Sequence, residues 1–176
     1  MIMVSLMAFA GAAPLTAQDK TAAAAPVAHQ CMPSAAGEAP ARMFEDAADK
    51  ALAAMKQRAV ELDVKGVAVV AYAEGESTTS WSSRMTVVGA LKTAPSQNDR
   101  GANLLAIAYS KAAEMADTLK ASGSGVRPAL TGEVGWQGGV VARGKTGILI
   151  AAFSGGKSED DVKISKAGLE VLSGKL

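Results

Sequence analysis

VGWQGGVVARGKTGILIAAF, residues 134–153, holds two readings that lead to different folds. Gly139 to Thr146 has the spacing of a nucleotide-binding loop, a glycine, four residues, then Gly-Lys-Thr. That chemistry needs a strand before the loop and a helix opening at the lysine, so that helix N-terminal amides cradle the phosphates. Gly147 to Phe153 is apolar and rich in strand formers, and it predicts a strand where the helix should begin. About thirty residues follow Thr146, too few for the rest of a nucleotide-hydrolysing sheet. With Val134 to Ala142 ahead of it and Arg143-Gly144 between, the stretch is a tight hairpin.

A second hairpin lies upstream. Val67 to Ala73 is a short β-branched run, Glu74-Gly75-Glu76-Ser77 is turn-like, and Thr79 to Val88 places Trp81, Met85 and Val87 on one face. Around these pairs the period changes to helical. Phe44, Ala48, Ala51 or Leu52, Met55, Ala59 and Leu62 recur at helical spacing, as do Leu104, Ala108, Ala112, Met115 and Leu119 within Asn103 to Leu119. Thr93 to Arg100 is a polar connection and Ala121 to Pro128 a loop. Ser158 is placed to cap a last helix, with Glu159, Asp160 and Asp161 where the helix dipole favours negative charge. The predicted order is helix-strand-strand-helix-strand-strand-helix. Strands grouped in hairpins argue for an α+β fold, an antiparallel sheet of four to five strands with flanking helices.

The N-terminal end has a different character. Met1 to Ala17 is apolar or small and uncharged and ends Leu15-Thr16-Ala17, which predicts a secretory signal peptide over 1–17, although no Lys or Arg precedes Lys20. It is too short for a spanning helix of about 20 residues, and no later stretch supplies a transmembrane segment. The expected location is the periplasm or the exterior. From Gln18 to Ala41 the chain is Ala, Pro, Gly and short polar residues, broken by Pro26, Pro33 and Pro40, which predicts a flexible linker over 18–41. The remainder, 42–176, suits one domain.

The charge balance excludes one class of partner. There are 18 basic and 17 acidic side chains with no strong clustering, so the footprint of a nucleic-acid binder is missing, and 4% aromatic content leaves few stacking surfaces. His29 is the single histidine, which removes the usual base of serine and cysteine hydrolases. Cys31, the single cysteine, has no internal disulfide partner. His29 and Cys31 together are a weak soft-metal or haem-iron pair, since two ligands do not close a site.

Other residues have a plain reading beside a functional one. Ser154-Gly155-Gly156-Lys157-Ser158 is a glycine-rich turn that can hold an anion, but the three acids after it favour a structural turn. Glu45, Asp46, Asp49, Glu61 and Asp63 suit solvated helix faces, and Lys111 with Glu114 fits an i,i+3 surface pair. Met85, Met115, Tyr72 and Tyr109 are of types that can ligate haem iron, with core packing the simpler role for both methionines.

Several segments, in this order, resemble the GlcG/HbpS-like family, also called the haem-degrading domain. These are Ala47, Ala48 and Ala51 in the opening helix; the Val67 to Ala73 strand; Arg84 with Gly89 and Ala90; and Ala108, Lys111 and Ala112. The closing match is Phe153-Ser154-Gly155-Gly156 with Asp160 or Asp161 and Ala167-Gly168-Leu169. The likeness covers about Ala41 to Leu176, with Thr86-Val87-Val88 standing where the family has an Asp-Gly pair. It implies a profilin-like sheet, a homo-oligomer, haem or iron as cofactor and an envelope sensor protein as partner. By position it implies that Arg84 and Lys111 line a ligand groove and meet propionate or carboxylate groups; Tyr109 and Met115 join them as ligand-binding candidates by residue type alone. Three functions stay open: an exported small-ligand binding protein without catalysis, a structural or interaction protein of the envelope, and an enzyme acting on haem or a small acid. The last has no evident acid/base pair.

Overall fold

The computed structural model describes residues 35–176, with side chains from Arg42 onward. The signal peptide expected over 1–17, most of the linker, and the His29/Cys31 pair lie outside the described residues. The elements run α1 (Ala35–Glu61), β1 (Gly66–Glu74), β2 (Ser82–Val88), β3 (Lys92–Thr93), β4 (Ala102–Asn103), α2 (Leu104–Thr118), β5 (Gly139–Arg143), β6 (Gly147–Ser154) and α3 (Ser158–Ser173). The fold is α+β, with three helices and a four-stranded antiparallel sheet in the order β2-β1-β6-β5.

The two predicted hairpins thus lie side by side, joined through their inner strands, where Val70 stands opposite Ala151. The β5–β6 turn closes where the Gly144 amide donates to the Gly147 carbonyl at 2.7 Å. Since β6 starts at Gly147, no helix opens at Lys145 and the nucleotide-loop spacing has no structural counterpart.

Alternate residues of the inner strands supply two cores. Ala68, Val70, Tyr72, Leu149, Ala151 and Phe153 pack with α1 and α3 on one face. Ala71, Ala73, Ile148, Ile150 and Ala152, with Val67 and Val69, pack under α2 on the other. Burial on both faces explains why β1 and β6 are continuous apolar runs rather than alternating ones. Tyr72 illustrates the packing, its ring stacked on Phe44 at 5.9 Å and its hydroxyl donating to Thr146 Oγ1 at 2.9 Å.

Several boundaries differ from expectation, among them β2, which begins at Ser82 rather than Thr79 because pairing with β1 ends at Tyr72–Ser82. α1 starts at Ala35, ahead of Phe44 and within the stretch expected to be linker to Ala41, so that Gly37 and Pro40 both lie in its first two turns. β5 begins at Gly139 rather than Val134, since Gly135 and Gly138 take positive φ and interrupt the extended run. The polar Thr93 to Arg100 connection is pinned by a two-residue ladder, Lys92 opposite Asn103 and Thr93 opposite Ala102. Ser158 is the first helical residue and Lys157 the N-cap, with no side-chain capping bond. The three acids do occupy the first turn.

Candidate functional site

The site begins with a charge on an apolar stripe. Leu104, Ala108, Lys111, Ala112 and Met115 form the inward face of α2, so helical spacing sends Lys111 into the protein. On α3 the inward face is Asp161, Ile164, Ser165, Gly168 and Leu172. The two meet beyond the end of β6, where Lys111 Nζ donates to Asp161 Oδ2 and to the Phe153 carbonyl, both at 2.8 Å. Lys111 is 2% exposed and Asp161 3%. Asp161 Oδ1 accepts from the Gly156 amide at 2.8 Å, tying the glycine turn to the pair. Burial pushes the Asp161 carboxyl above its ordinary range; the Lys111 ammonium and the amides of Gly156 and Gly155 offset that only in part.

Two glycines are needed for this geometry. At Gly138 (φ +140°) a Cβ would strike Lys111 Nζ, and the Gly138 carbonyl is held by Ser165 Oγ at 2.6 Å and by the Phe153 amide at 3.0 Å. At Gly155 (φ +156°) a Cβ would strike the Lys65 carbonyl. The Ser154–Ser158 stretch is therefore a structural turn, as its acids implied.

Above the pair lies a hollow of about 150 Å³ whose walls include Leu104, Ile107, Trp136, Gln137 and Ser158. It shares Leu104, Gly155 and Gly156 with a hollow of about 480 Å³ that reaches Lys65, Thr93 and Lys157. The two hollows adjoin at the glycine turn and are taken together as the groove, with an apolar wall and an exposed indole, Trp136 being 56% exposed. Among the described residues Lys65 and Lys157 have no ion-pair partner, nor has Asp63 on the same rim, whereas Asp160 is bonded to Lys163 at 2.9 Å, so the unpaired rim charges sum to one positive.

The expected site residues are not brought together. Arg84 lies on the α1 face of the edge strand, opposite Val70, and bonds Glu45 and, at 3.0 Å, Asp49. Lys111, Tyr109 and Met115 lie on α2, across the sheet, so Arg84 and Lys111 do not share a groove. Lys111 is itself neutralised by Asp161, and its expected surface pairing with Glu114 is absent because Glu114 also turns inward, accepting from the Gly123 amide at 2.8 Å. Met115 is fully buried in the core, and Met85 packs against the Val67 and Val69 cluster. Tyr109 tilts against Trp81, with its hydroxyl 3.3 Å from Ser83 Oγ. Glu45, Asp46, Asp49, Glu61 and Asp63 are exposed, as solvated faces require.

Trp136 and Lys65 are groove residues that sequence reasoning passed over, and Asp161 and Lys157 were read there only as a helix-start acid and a turn residue. Lys111 and Asp161 each sit on a helix's apolar stripe, and that spacing was the available signal. Among the described residues no three His, Cys, Asp or Glu side chains gather as metal ligands, and no helix is long and apolar enough to cross a membrane. Compared with known proteins, the chain matches no protein-family model and no curated protein.

Proposed function

We propose that the chain is an exported small-ligand binding protein with no catalysis of its own, and that its groove takes a ring compound carrying carboxylates, of which haem is one. The carrying observation is the groove itself: an apolar wall of Leu104, Ile107 and Trp136 beside two unpaired rim cations, Lys65 and Lys157. Apolar walls with a few placed polar groups are the usual make-up of a small-molecule site, and lysines at the rim suit carboxylates as point charges.

The residues fit the periphery of haem and not its iron. Lys65 and Lys157 would hold propionates and Trp136 would lie against the ring, but the groove lining contains no His, Cys, Met or Tyr to serve as axial ligand. Similarity to the GlcG/HbpS-like proteins supports the same class of ligand, a profilin-like sheet, assembly as a homo-oligomer and an envelope sensor as partner. Exposed Val126, Leu130 and Trp136, all on the connection between α2 and β5, favour the interaction reading as the alternative.

The test is an absorbance titration of the chain with haem and, in parallel, with metal-free protoporphyrin. The expected result is saturable binding of both with affinities within about threefold, a gap of under 1 kcal/mol. Binding of haem alone would overturn the groove as the site, and binding of neither would leave the interaction reading.

A further inference from the structure

A second hollow, on the α2 side of the sheet, lies between the β1–β2 connection and the last turns of α2. It has a volume of about 540 Å³ and is lined by Ser77, Thr78, Thr79, Ser80, Trp81, Ala113, Ala116 and Asp117. This is within the range of small-molecule sites, about 300–1,000 Å³. We infer that it is a binding site for a neutral saccharide.

Its chemistry is the argument. The lining combines four consecutive hydroxyl residues, the indole of Trp81 that follows them and two alanines of α2. Hydroxyls both donate and accept, which suits a ligand that itself carries many hydroxyls. Trp81 supplies an apolar surface with one polar edge, suited to the C–H face of a pyranose. The lining carries no cation, so nothing in it draws an anion. Its one carboxylate, Asp117, accepts twice from Arg127 at Oδ2, at 3.0 and 2.6 Å, and because Arg127 is shared with Glu133 the three groups keep one negative charge, which repels an anion and offers an acceptor to ligand hydroxyls. Among the described residues no bond engages Asp117 Oδ1, which leaves it as an acceptor.

The walls are held before any ligand arrives. Thr78 Oγ1 donates to the Ala116 carbonyl at 3.2 Å and fastens the connection to the helix. Trp81 packs on the Ala112 and Met115 cluster and tilts against Tyr109 at 6.5 Å. Arg127 is anchored in turn by Glu133 at 2.7 and 2.8 Å. A preformed site spends little of its binding energy on ordering.

The chain has two tryptophans, so Trp136→Phe leaves Trp81 as the sole indole. In that background, emission is followed during titration with cellobiose, with maltose and with glucuronate. The expected result is a saturable change with at least one disaccharide, half-complete at about 1 mM or below, a weaker response to glucuronate, and at least about tenfold weakening in T79V/S80A, an exposed double change. No saturable change with either disaccharide, or a change that T79V/S80A leaves intact, overturns the proposal. Amide shifts confined to 77–81 and 113–117 support it, and shifts elsewhere count against it.

Discussion

Lys111 Nζ donates to Asp161 Oδ2 at 2.8 Å where the middle of α2 meets the first turn of α3, and neither side chain reaches solvent to any extent. This contact joins helices from opposite faces of the sheet, past the end of β6. Removing one member strands a buried charge, so Lys111→Met is expected to cost about 3–5 kcal/mol. The double variant K111M/D161L should recover most of that loss, because it leaves no charge behind. Urea denaturation of the three chains measures this, and a single change costing under about 1 kcal/mol would show that the pair is not desolvated as described.

Gly138 tests the packing over that pair. Gly138→Ala imposes left-handed strain of about 1–3 kcal/mol and adds a clash with Lys111 Nζ. Gly75→Ala, at φ +84° with open space around the new methyl, incurs the backbone cost alone. Thermal unfolding should therefore rank Gly138→Ala well below Gly75→Ala; equal melting temperatures would contradict the close approach.

Arg84 is the counter-case. Its bonds to Glu45 and Asp49 are between exposed side chains, with the Arg84 side chain 44% accessible. Arg84→Ala is expected to cost no more than about 1 kcal/mol and to leave porphyrin affinity unchanged, since it lies across the sheet from Lys111. A drop in affinity with stability intact would return Arg84 to the site.

Acid should act through Glu133. Hydrogen bonds from Arg127, then one from the Leu130 amide, lower its carboxyl from 4.5 to about 2. A carboxyl lowered by folding binds its proton less tightly folded than unfolded, so its stabilisation is complete above pH 4.5 and is lost as pH falls toward 2. Asp161 has the opposite sign, because its carboxyl is raised on folding and acid favours the folded form at that group. Glu133→Gln should be less stable than the parent at neutral pH and flatten the fall in stability between pH 4.5 and 2. An unchanged slope would show that Glu133 titrates normally.

Much of the fold was legible, for physical reasons. Period-2 and period-3.6 patterns mark what a strand or helix buries, and the apolar runs at 67–73 and 147–153 proved to be the two inner strands. Helix and strand ends were less legible, because glycine φ values at Gly135 and Gly138 depend on tertiary packing. The candidate site was least legible. Lys111 looked like a surface residue because its charge outweighed its position on the Leu104–Ala108–Met115 stripe. Its partner, Asp161, looked like one of three equivalent helix-start acids, and only the third points inward, among Ile164, Gly168 and Leu172. Sequence distance hid their meeting, since 50 residues separate them.

We propose that the groove around Gly155 and Gly156 holds a carboxylate-bearing ring. The most direct test is chemical-shift mapping of the labelled chain with gallium protoporphyrin, alongside a K65E/K157E variant. The expected result is saturable shifts at the Gly155 and Gly156 amides and the Trp136 indole, and at least about tenfold weaker binding in the variant, in which both rim cations are reversed. Shifts centred on Ser83 and Arg84, or affinity unaltered in the variant, would contradict it.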